Sequence, residues 1–404
     1  MKSAFTDFMK ANAMKPFDFY RCPRVVFGPG RVSELGDIAA RYGSKALVVT
    51  GATSLDRSGN WDKIARSLGE SSFAFSRFTV KGEPSPDLVD LAVGEFRQHP
   101  PDVVIAVGGG SVIDCAKAIA AMLPLDEPVT PYLEGVGDRN HPGKTLPMIA
   151  VPTTAGTGSE ATKNAVLSKI GKRGFKKSLR HDNFTPVCAL LDPELTLNAP
   201  PSVTAACGMD AFTQLLESYV SPKGSPLTDA LALSGIEQVS PALVPAATNR
   251  GDDIGFRSSL LYGAFLSGVT LANAGLGIVH GLAGPVGACI PMPHGMVCAT
   301  LLGESCRMNI LRIREQRGKE DPMVVKYALV GRMLSGNPSA GNDQACGLLL
   351  ETLREWTEEL GIPRLGDYGL EASDLDGLVA QAGQKANPVQ LDPGDVKAIL
   401  KARL

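Results

Sequence analysis

The sequence predicts an α/β domain with a parallel sheet, followed by an all-α helical domain. Up to about residue 200, short β-branched runs alternate with helical patterns, as in parallel sheets covered on both faces. From Pro200 onward the strand signals stop and helical patterns follow one another. The prolines of the segment Asp192–Pro201 end a strand and supply a first helical position, so we place the domains at residues 1–198 and 199–404.

Composition restricts the partners of the chain. Of its 404 residues, 44% are hydrophobic and 20% are charged, which is typical of a packed globular protein. Lys and Arg number 40 against 42 Asp and Glu. The net charge of −2 therefore gives no positive electrostatic field that would attract nucleic acid or an anionic membrane. No apolar run reaches the length of a signal peptide or a membrane span, so we expect neither. The eight cysteines form no C-x-x-C pair, which fits free thiols in a reducing cytoplasm.

In the first half, three β-branched runs are predicted to be buried strands, namely Ala46–Thr50, Val103–Val107 and Met148–Val151. The segments Asn60–Leu68 and Pro86–Gln98 carry helical spacing with polar faces. Helices between parallel strands therefore account for this half.

In the second half, the helical patterns are rich in Ala and Leu. The predicted helices are Pro201–Val220, Pro226–Ala247, Ile254–Asn273, Gly275–Gly287, Val297–Met308, Pro322–Leu334 and Ala345–Leu360. Because no strand interrupts them, they form a helical domain of their own.

A glycine-rich turn follows the second predicted strand. Gly108, Gly109, Gly110 and Ser111 open a helix, and glycines let the main chain approach a ligand closely while the helix N-terminus attracts a pyrophosphate. The spacing differs from the G-x-G-x-x-G of a standard dinucleotide fold, so a tight turn without a ligand is the alternative.

A second loop, Pro152–Ser159, also follows a predicted strand and carries four hydroxyl groups. Such hydroxyls commonly hold a ribose or a carboxamide, and a solvated turn capped by its own Thr and Ser is the alternative. After the strand Ala46–Thr50, where many dinucleotide folds place an acid against the adenosine 2′-hydroxyl, this chain has Gly51. Without that carboxylate both NAD and NADP stay open.

Two of only five histidines, His280 and His294, lie 14 residues apart in a glycine-rich passage. Each glycine costs a helix about 1 kcal/mol relative to Ala, so we expect that close backbone approach is required there. The glycines in question are Gly275, Gly277, Gly281, Gly284 and Gly287.

Asp210 and Gln214 share one face of an earlier, otherwise apolar helix. One carboxylate and two imidazoles suit a divalent metal, either zinc or ferrous iron. The alternative is that each His is a buried, hydrogen-bonded core residue, and spacing does not decide between the two.

Four passages of the chain together resemble the iron-containing (group III) alcohol dehydrogenases. They are GGGSVIDCAK, VPTTAGTGSE, LLDPELTLNAPPSVTAACGMDA and NAGLGIVHGLAGPVGACIPMPHG, in this order. Phe27–Gly30 and Asn387 followed by Pro388 also match, and the likeness spans about residues 17 to 402.

The resemblance implies a dehydroquinate synthase-like architecture, in which a dinucleotide-binding domain and a helical domain enclose a nicotinamide and a metal, Fe²⁺ or Zn²⁺. In that family an Asp and three His hold the metal, and the matching positions here are Asp210, Gln214, His280 and His294. Gln214 is a departure, because a carboxamide oxygen is neutral and a weaker ligand than an imidazole. Gly284 is a second departure, since the family has a histidine there, near the reacting group.

The resemblance also implies nucleotide-binding positions. The pyrophosphate falls on Gly108, Gly109, Gly110 and Ser111, with Asp114 on the following helix and Thr153 and Thr154 along the ribose and nicotinamide. Lys177 resembles a family lysine near the cofactor, although a solvated hairpin is the alternative for its basic surroundings, Lys172–Arg180.

The function implied by the resemblance is metal-dependent hydride transfer between NAD or NADP and an alcohol, aldehyde or ketone, by a homodimer or larger homo-oligomer. Two alternatives stay open. One is a metal-free reductase of the maleylacetate type. The other is a dinucleotide-binding protein without catalysis, which the changes at Gln214 and Gly284 suggest.

Overall fold

The computed structural model describes residues 16–71, 73–169 and 174–404. Its first half contains a six-stranded sheet in which every pairing is parallel, with the order β1-β8-β5-β4-β2-β3, and a separate antiparallel hairpin of β6 and β7. The strands are β1 Arg24–Phe27, β2 Lys45–Gly51, β3 Ala74–Val80, β4 Val103–Gly108, β5 Met148–Pro152, β6 Asn164–Lys169, β7 Phe175–Arg180 and β8 Cys188–Leu191. The predicted parallel sheet is confirmed.

Helices cover both faces of this sheet. They are α1 Leu35–Ala39, α2 Ser54–Arg57, α3 Asn60–Glu70, α4 Pro86–Phe96 and α5 Gly110–Met122. One apolar core lies on each face, because the central strands β4 and β5 are buried throughout and their side chains alternate between the two sides.

The order of the strands reverses between β2 and β4. From β2 the chain moves outward to β3, and it then returns to β4 on the other side of β2 and continues to β5. In open α/β sheets a crevice forms at such a point, outside the carboxyl ends of the strands. Here those ends carry Gly51 and Gly108.

The second half is helical, as predicted. Its helices are α6 Pro201–Tyr219, α7 Pro226–Thr248, α8 Ile254–Ala274, α9 Ile278–Cys289, α10 His294–Arg317, α11 Pro322–Ser335, α12 Asn342–Glu359, α13 Leu375–Gln381 and α14 Pro393–Ala402. They enclose one apolar core that also contacts Ala189 and Leu191 of β8. The change from strands to helices lies between Leu191 and Pro201.

Two helix boundaries near the predicted metal residues differ from the prediction. Helix α9 begins at Ile278 and not at Gly275, because Gly275 has a φ of 73° and ends the preceding helix. Helix α10 begins at His294 and not at Val297, and it continues past Met308 to Arg317. The polar second part of α10 is held by Arg312, which donates to Asp395 of α14. His294 is consequently a helical residue.

The two halves meet backbone to backbone. Gly158, in the loop after β5, and Gly268 of α8 are so close that a Cβ added to Gly268 would lie 2.2 Å from the carbonyl oxygen of Gly158. Among the described residues no single helix is both long and apolar enough to cross a membrane. The pair Ile254–Ala274 and Ile278–Cys289, bent by 102°, meets those two criteria only when taken together.

Candidate active site

The two predicted nucleotide loops lie side by side at the carboxyl edge of the sheet. Gly108 ends β4 next to Pro152 of β5, and the N–H of Thr153 donates to the carbonyl of Gly108 at 3.0 Å. A Cβ on Gly109 would lie 3.1 Å from Thr154 Oγ1. The close packing of these loops therefore favours glycine at the turn.

The N-terminus of α5 is free to accept an anion. Gly109 is the residue before the helix and has no side chain to cap the first N–H groups, and Ser111 is exposed to solvent. Unpaired N–H groups and the helix dipole attract phosphate at such a position. The geometry is thus compatible with the predicted pyrophosphate site at this turn.

Gly51 lies at the end of β2, beside this turn. A Cβ added there would meet only Ser54 Oγ at 3.6 Å and Val112 Cγ2 at 3.8 Å, which are ordinary contacts. There is therefore room for a side chain at the position where many dinucleotide folds have an acid.

Asp114 and Lys177, the other two predicted nucleotide residues, lie outside the glycine turn. Asp114 is buried, and its Oδ2 accepts a hydrogen bond from the N–H of Val166 in β6 at 3.1 Å. Lys177 is exposed on β7, with its ammonium group beside Gly135. The basic run is in part the hairpin strand β7, and its residues Lys172 and Arg173 lie outside the described residues.

Three of the predicted metal residues come together although they are distant in the chain. Asp210 lies on α6, His280 on the first turn of α9 and His294 at the start of α10. His280 Nε2 is 3.2 Å from Asp210 Oδ1, and His294 Nε2 is 3.8 Å from the same oxygen. The sulfur of Cys298 joins them, at 3.7 Å from both Nε2 atoms. The four donor atoms all lie within 4.8 Å of one another.

Glu217 fixes the orientation of His280. Its Oε2 lies 2.7 Å from His280 Nδ1, and its Oε1 accepts the N–H of Val279 at 2.7 Å. With Nδ1 donating to Glu217, Nε2 is the ring nitrogen that faces Asp210 and Cys298, and on loss of its proton it would offer a lone pair to a metal. A carboxylate behind a histidine is the usual outer partner of a metal-ligating imidazole.

Gln214, the fourth predicted metal residue, lies one turn after Asp210 and is buried. Its Oε1 accepts a hydrogen bond from Ser267 Oγ of α8 at 2.6 Å. The oxygen that a metal would need is thus engaged by a neighbouring helix.

The electrostatics of the cluster favour a positive charge. Burial alone would raise the pKa of Asp210, but His294 and the hydrogen bond from His280 bring it below the ordinary value. Burial alone would lower the pKa of His280, yet Cys298, Asp210 and Glu217 raise it well above the ordinary value. The Cys298 sulfur, with Asp210, also raises the pKa of His294 despite burial. A bound cation satisfies such a concentration of negative donors.

The glycine-rich passage shows the expected close approach most sharply at two positions, and more mildly at Gly275, where a Cβ would lie 3.1 Å from Ala386 Cβ. A Cβ on Gly277 would lie 2.8 Å from Asn387 Oδ1 and 2.9 Å from Glu217 Oε1, and one on Gly281 would lie 1.8 Å from the carbonyl of Gly383. At Gly284 and Gly287 the expectation was wrong, because a Cβ would meet nothing within 4 Å. Gly284, one turn after His280, instead leaves open space.

The nucleotide loops and the metal cluster are connected through α6. A Cβ on Gly156, in the loop after β5, would lie 2.7 Å from the Cβ of Cys207. Cys207 is three residues before Asp210 on the same helix. The loop that follows β5 therefore packs on the helix that carries the carboxylate of the cluster.

Cys298 and Glu217 were missed by the sequence analysis. Glu217 follows Asp210 by seven residues, and Cys298 follows His294 by four, so both spacings place the pairs on one helix face. The Cys298 spacing is informative only if the helix starts at His294, which the predicted boundary at Val297 excluded.

Comparisons with known proteins point to one family. The family profile described as "Iron-containing alcohol dehydrogenase" matches residues 22–193, and the profile "Fe-containing alcohol dehydrogenase family, C-terminal" matches residues 204–404. Long-chain-alcohol dehydrogenase 1 of Geobacillus thermodenitrificans is 34% identical over 393 residues, covering 94% of this chain and 96% of the relative.

Two further relatives span nearly the same length. The NAD-dependent methanol dehydrogenase of Bacillus methanolicus is 30% identical over 395 residues, covering 96% of this chain and 100% of the relative. The crystal structure of a 1,3-propanediol oxidoreductase superposes with a TM-score of 0.86 at 27% identity, covering 96% of this chain and 100% of that one.

Proposed function

Because this chain belongs to the iron-containing alcohol dehydrogenase family, we propose that it transfers a hydride between NAD(P)(H) and an alcohol or the corresponding aldehyde or ketone, with a divalent metal as Lewis acid. The observation that carries the proposal is the convergence of Asp210, His280 and His294 beside the nucleotide loops. The nucleotide half corresponds to residues 1–198 and the metal half to residues 199–404.

Asp210, His280 and His294 would hold the metal. They fit it, because one carboxylate and two imidazoles are common ligands of zinc and iron, and Glu217 already presents the Nε2 of His280. A bound divalent metal supplies Lewis acidity, which lowers the pKa of an alcohol and polarises a carbonyl. Gly284 adds no imidazole to this space and leaves room for a substrate bulkier than a short alcohol.

The nucleotide would lie along the carboxyl edge of the sheet. Gly108–Ser111 would bind the pyrophosphate at the start of α5, and Thr153 and Thr154 would flank the ribose and nicotinamide. The bound nicotinamide supplies the hydride acceptor or donor at its C4. Orientation of the two reactants in a cleft that excludes water is the main contribution of these loops.

The remaining predicted nucleotide residues support this placement less directly. Asp114 would support the glycine turn indirectly, because it ties α5 to β6. Lys177 would reach the nucleotide from the exposed face of β7. Gly51 leaves the adenosine end without a carboxylate, so we infer that a 2′-phosphate is not repelled and that both NAD(H) and NADP(H) are admitted.

The alternatives predict different donor sets. A metal-free reductase has no need of two imidazoles and a carboxylate in one buried cluster. A protein without catalysis has no need of Glu217 to orient His280 toward that cluster. The intact cluster therefore favours a metal-dependent enzyme.

The test is an assay of the purified protein with a panel of aldehydes, ketones and alcohols, run with NADH and NADPH or their oxidised forms in parallel. The protein is first stripped by a chelator and then reloaded with Fe²⁺ or Zn²⁺. We expect turnover only after reloading. Asp210→Asn should remove the bound metal. It should also lower turnover by about a thousandfold or more, because several kcal/mol of charge stabilisation are lost.

The matched control is Asp376→Asn, which removes a carboxylate that pairs with Lys397 on the surface. It should keep both metal and turnover. Full turnover of the chelated protein, or normal kinetics of Asp210→Asn, would contradict the proposal.

We propose a homodimer or larger homo-oligomer for the assembly. Supporting this, β1 is an edge strand of the sheet, and its Val25 and Phe27 are 41% and 36% exposed. Exposed apolar side chains on an unpaired strand edge favour pairing with another chain. Light scattering on the purified protein measures the assembly directly.

A cytoplasmic location is also proposed. All eight cysteines are free thiols, and five of them are buried. Unpaired cysteines are the rule in a reducing compartment. Fractionation of cells that express the protein tests the location.

A further inference from the structure

We propose that Cys298 is a protein ligand of the metal in this chain, in place of Gln214, and that the site therefore prefers zinc to ferrous iron. This inference rests on the proposed function and identifies its metal site more closely. It changes one ligand from a neutral carboxamide on α6 to a thiolate on α10.

Four of the six distances between the donor atoms are close to those of a tetrahedral site, and all six are within 4.8 Å. Zinc binds sulfur at about 2.3 Å and nitrogen or oxygen at about 2.0–2.1 Å, so the edges of a tetrahedron are about 3.5 Å for sulfur to nitrogen and about 3.3 Å for nitrogen to oxygen. Cys298 Sγ lies 3.7 Å from the Nε2 atoms of both His280 and His294. The two nitrogen-to-oxygen edges, to Asp210 Oδ1, are 3.2 and 3.8 Å. Small shifts are enough to close the site around an ion.

The helix that carries Cys298 presents it to the cluster. Helix α10 begins at His294, and residues four apart lie one above the other on a helix, so His294 and Cys298 face the same way. Cys298 is fully buried, so its sulfur contacts the cluster and not solvent. A thiol that only filled the core would not need two imidazole nitrogens as neighbours.

Gln214 is engaged elsewhere. Its Oε1 accepts a hydrogen bond from Ser267 Oγ at 2.6 Å, and both side chains are buried between α6 and α8. Coordination through this oxygen would have to compete with that hydrogen bond, and if the bond were lost, Ser267 Oγ would keep only the carbonyl of Ala264, at 2.8 Å, as its acceptor. Cys298 needs no such exchange.

The charges also fit. The thiol loses its proton to solvent when the metal–sulfur bond forms, so Asp210 and Cys298 together offer two negative charges to a divalent ion. With Gln214 in place of Cys298, the protein ligands would offer only one. Thiolate is a soft ligand that favours zinc, and zinc accepts a fifth ligand, so four protein donors remain compatible with a bound substrate.

The experiment is cobalt substitution of the full-length protein. The protein is stripped with a chelator and titrated with Co²⁺ alone, and its near-ultraviolet spectrum is recorded. A cobalt–thiolate bond gives an intense charge-transfer band that nitrogen and oxygen ligands do not give. We expect this band to grow to one equivalent of Co²⁺ in the natural protein and to be absent in Cys298→Ala and Cys298→Ser.

The variants should also differ from one another in their affinity for Zn²⁺. Competition with a chromophoric chelator should show a loss of at least about tenfold in Cys298→Ala, because even the loss of an outer partner of a ligand costs 10–100-fold. Gln214→Ala should keep the band and the affinity. Cys346→Ala, which removes another buried helical cysteine remote from the cluster, should also keep both.

The outcomes distinguish this inference from the proposed function. Stoichiometric cobalt binding that is lost in Asp210→Asn but shows no thiolate band would overturn the role of Cys298 and leave the metal-dependent function standing. A band that persists in Cys298→Ala, or is lost in Gln214→Ala, would likewise overturn that role. A natural protein that binds no cobalt would overturn both.

Discussion

The imidazole of His280 is held on both sides, by Glu217 at Nδ1 and by Asp210 at Nε2, at 2.7 and 3.2 Å. Glu217 also accepts the N–H of Val279, so one carboxylate fixes both the ring and the first turn of α9. It is not one of the four donors that lie within 4.8 Å of one another. Glu217 is therefore a positioning residue, which acts on the metal through His280.

Glu217→Gln tests that role. The amide keeps the shape of the carboxylate, but one of its two polar atoms becomes a donor that faces either His280 Nδ1 or the N–H of Val279. We expect the affinity for Zn²⁺ to fall about 10–100-fold, as for other outer partners of ligating histidines. Chelator competition measures this, and circular dichroism checks that the fold is kept. Glu351→Gln, on the exposed face of α12, is the control. Unchanged zinc affinity in Glu217→Gln would reduce Glu217 to a purely structural residue.

The residues of the cluster differ in how far sequence could predict them. Histidine is rare in this chain, so His280 and His294 attract attention, and Asp210 is a charge among apolar neighbours. Cys298 lies in an apolar stretch, where a buried thiol is the ordinary interpretation. Its role depends on the helical register from His294, and on the two other helices that bring His280 and Asp210 beside it.

At the level of elements, glycine and polar residues caused the errors in the predicted boundaries. The sequence pattern predicts that α9 begins at Gly275. In the structure its first turn is fixed by Asn387, whose Oδ1 accepts the N–H of Ile278 at 3.1 Å. Asn387 is 109 residues further on, so no local pattern contains this contact. The polar end of α10 is stabilised in the same way by Asp395 of α14.

A buried group of charges joins α5 to the loop after β5. Lys117 donates to the carbonyls of Ser159 and Asn164 at 2.9 and 2.8 Å, and its ammonium lies 3.9 Å from Asp114 Oδ1. Burial lowers the pKa of Lys117 to about 8. Burial likewise raises the pKa of the neighbouring Glu160 to about 7, with a smaller opposing effect of Lys117.

The pKa of Glu160 predicts a dependence of stability on pH. Between about pH 4.5 and 7 the folded protein binds this proton and the unfolded chain does not, so stability falls as pH rises through that window. Glu160→Gln removes this loss. We expect the variant to match the natural protein near pH 4.5 and to exceed its free energy of unfolding by about 1–3 kcal/mol at pH 8.

Denaturant unfolding across this pH range provides the measurement. Because His280 and His294 titrate equally in both proteins, the difference between the two curves reports Glu160 together with its effect on Lys117. Glu359→Gln, which changes an exposed acid, should give no difference at any pH. A difference between Glu160→Gln and the natural protein that does not change with pH would show that folding leaves the pKa of Glu160 unshifted.

For the whole molecule, local patterns were sufficient to predict the layers. The strands β2, β4 and β5 are apolar runs buried on both faces, and the helices that cover them have ordinary lengths and caps. The edge strands β1 and β3 went unpredicted because they are short or half exposed and carry weaker patterns. The packing of the two halves against each other also lay beyond the sequence, because it depends on backbone contacts.

The contact between Gly158 and Gly268 is the clearest example of a backbone contact between the two halves. Both positions exclude a side chain, since a Cβ on Gly158 would lie 2.4 Å from the Cα of Gly268 and 2.8 Å from the carbonyl of Ala264. Gly158 belongs to the loop that carries Thr153 and Thr154, and α8 carries Ser267, which holds Gln214 next to Asp210. This contact thus helps to position the loop after β5 relative to the cluster of Asp210, His280, His294 and Cys298.

Gly268→Ala is expected to separate the two halves slightly. The added methyl group must displace the carbonyl of Gly158, which costs about 1–3 kcal/mol of stability, as for other overpacked sites. A displacement near 1 Å between nucleotide and metal would lower kcat about a hundredfold, because hydride transfer needs the reacting carbons in near contact. Gly347→Ala, where a Cβ on α12 meets nothing within 4 Å, should be neutral or slightly stabilising and keep kcat. Denaturant unfolding and steady-state kinetics on both variants measure these effects, and normal stability with normal kcat in Gly268→Ala would show that the two halves are not held in register at this point.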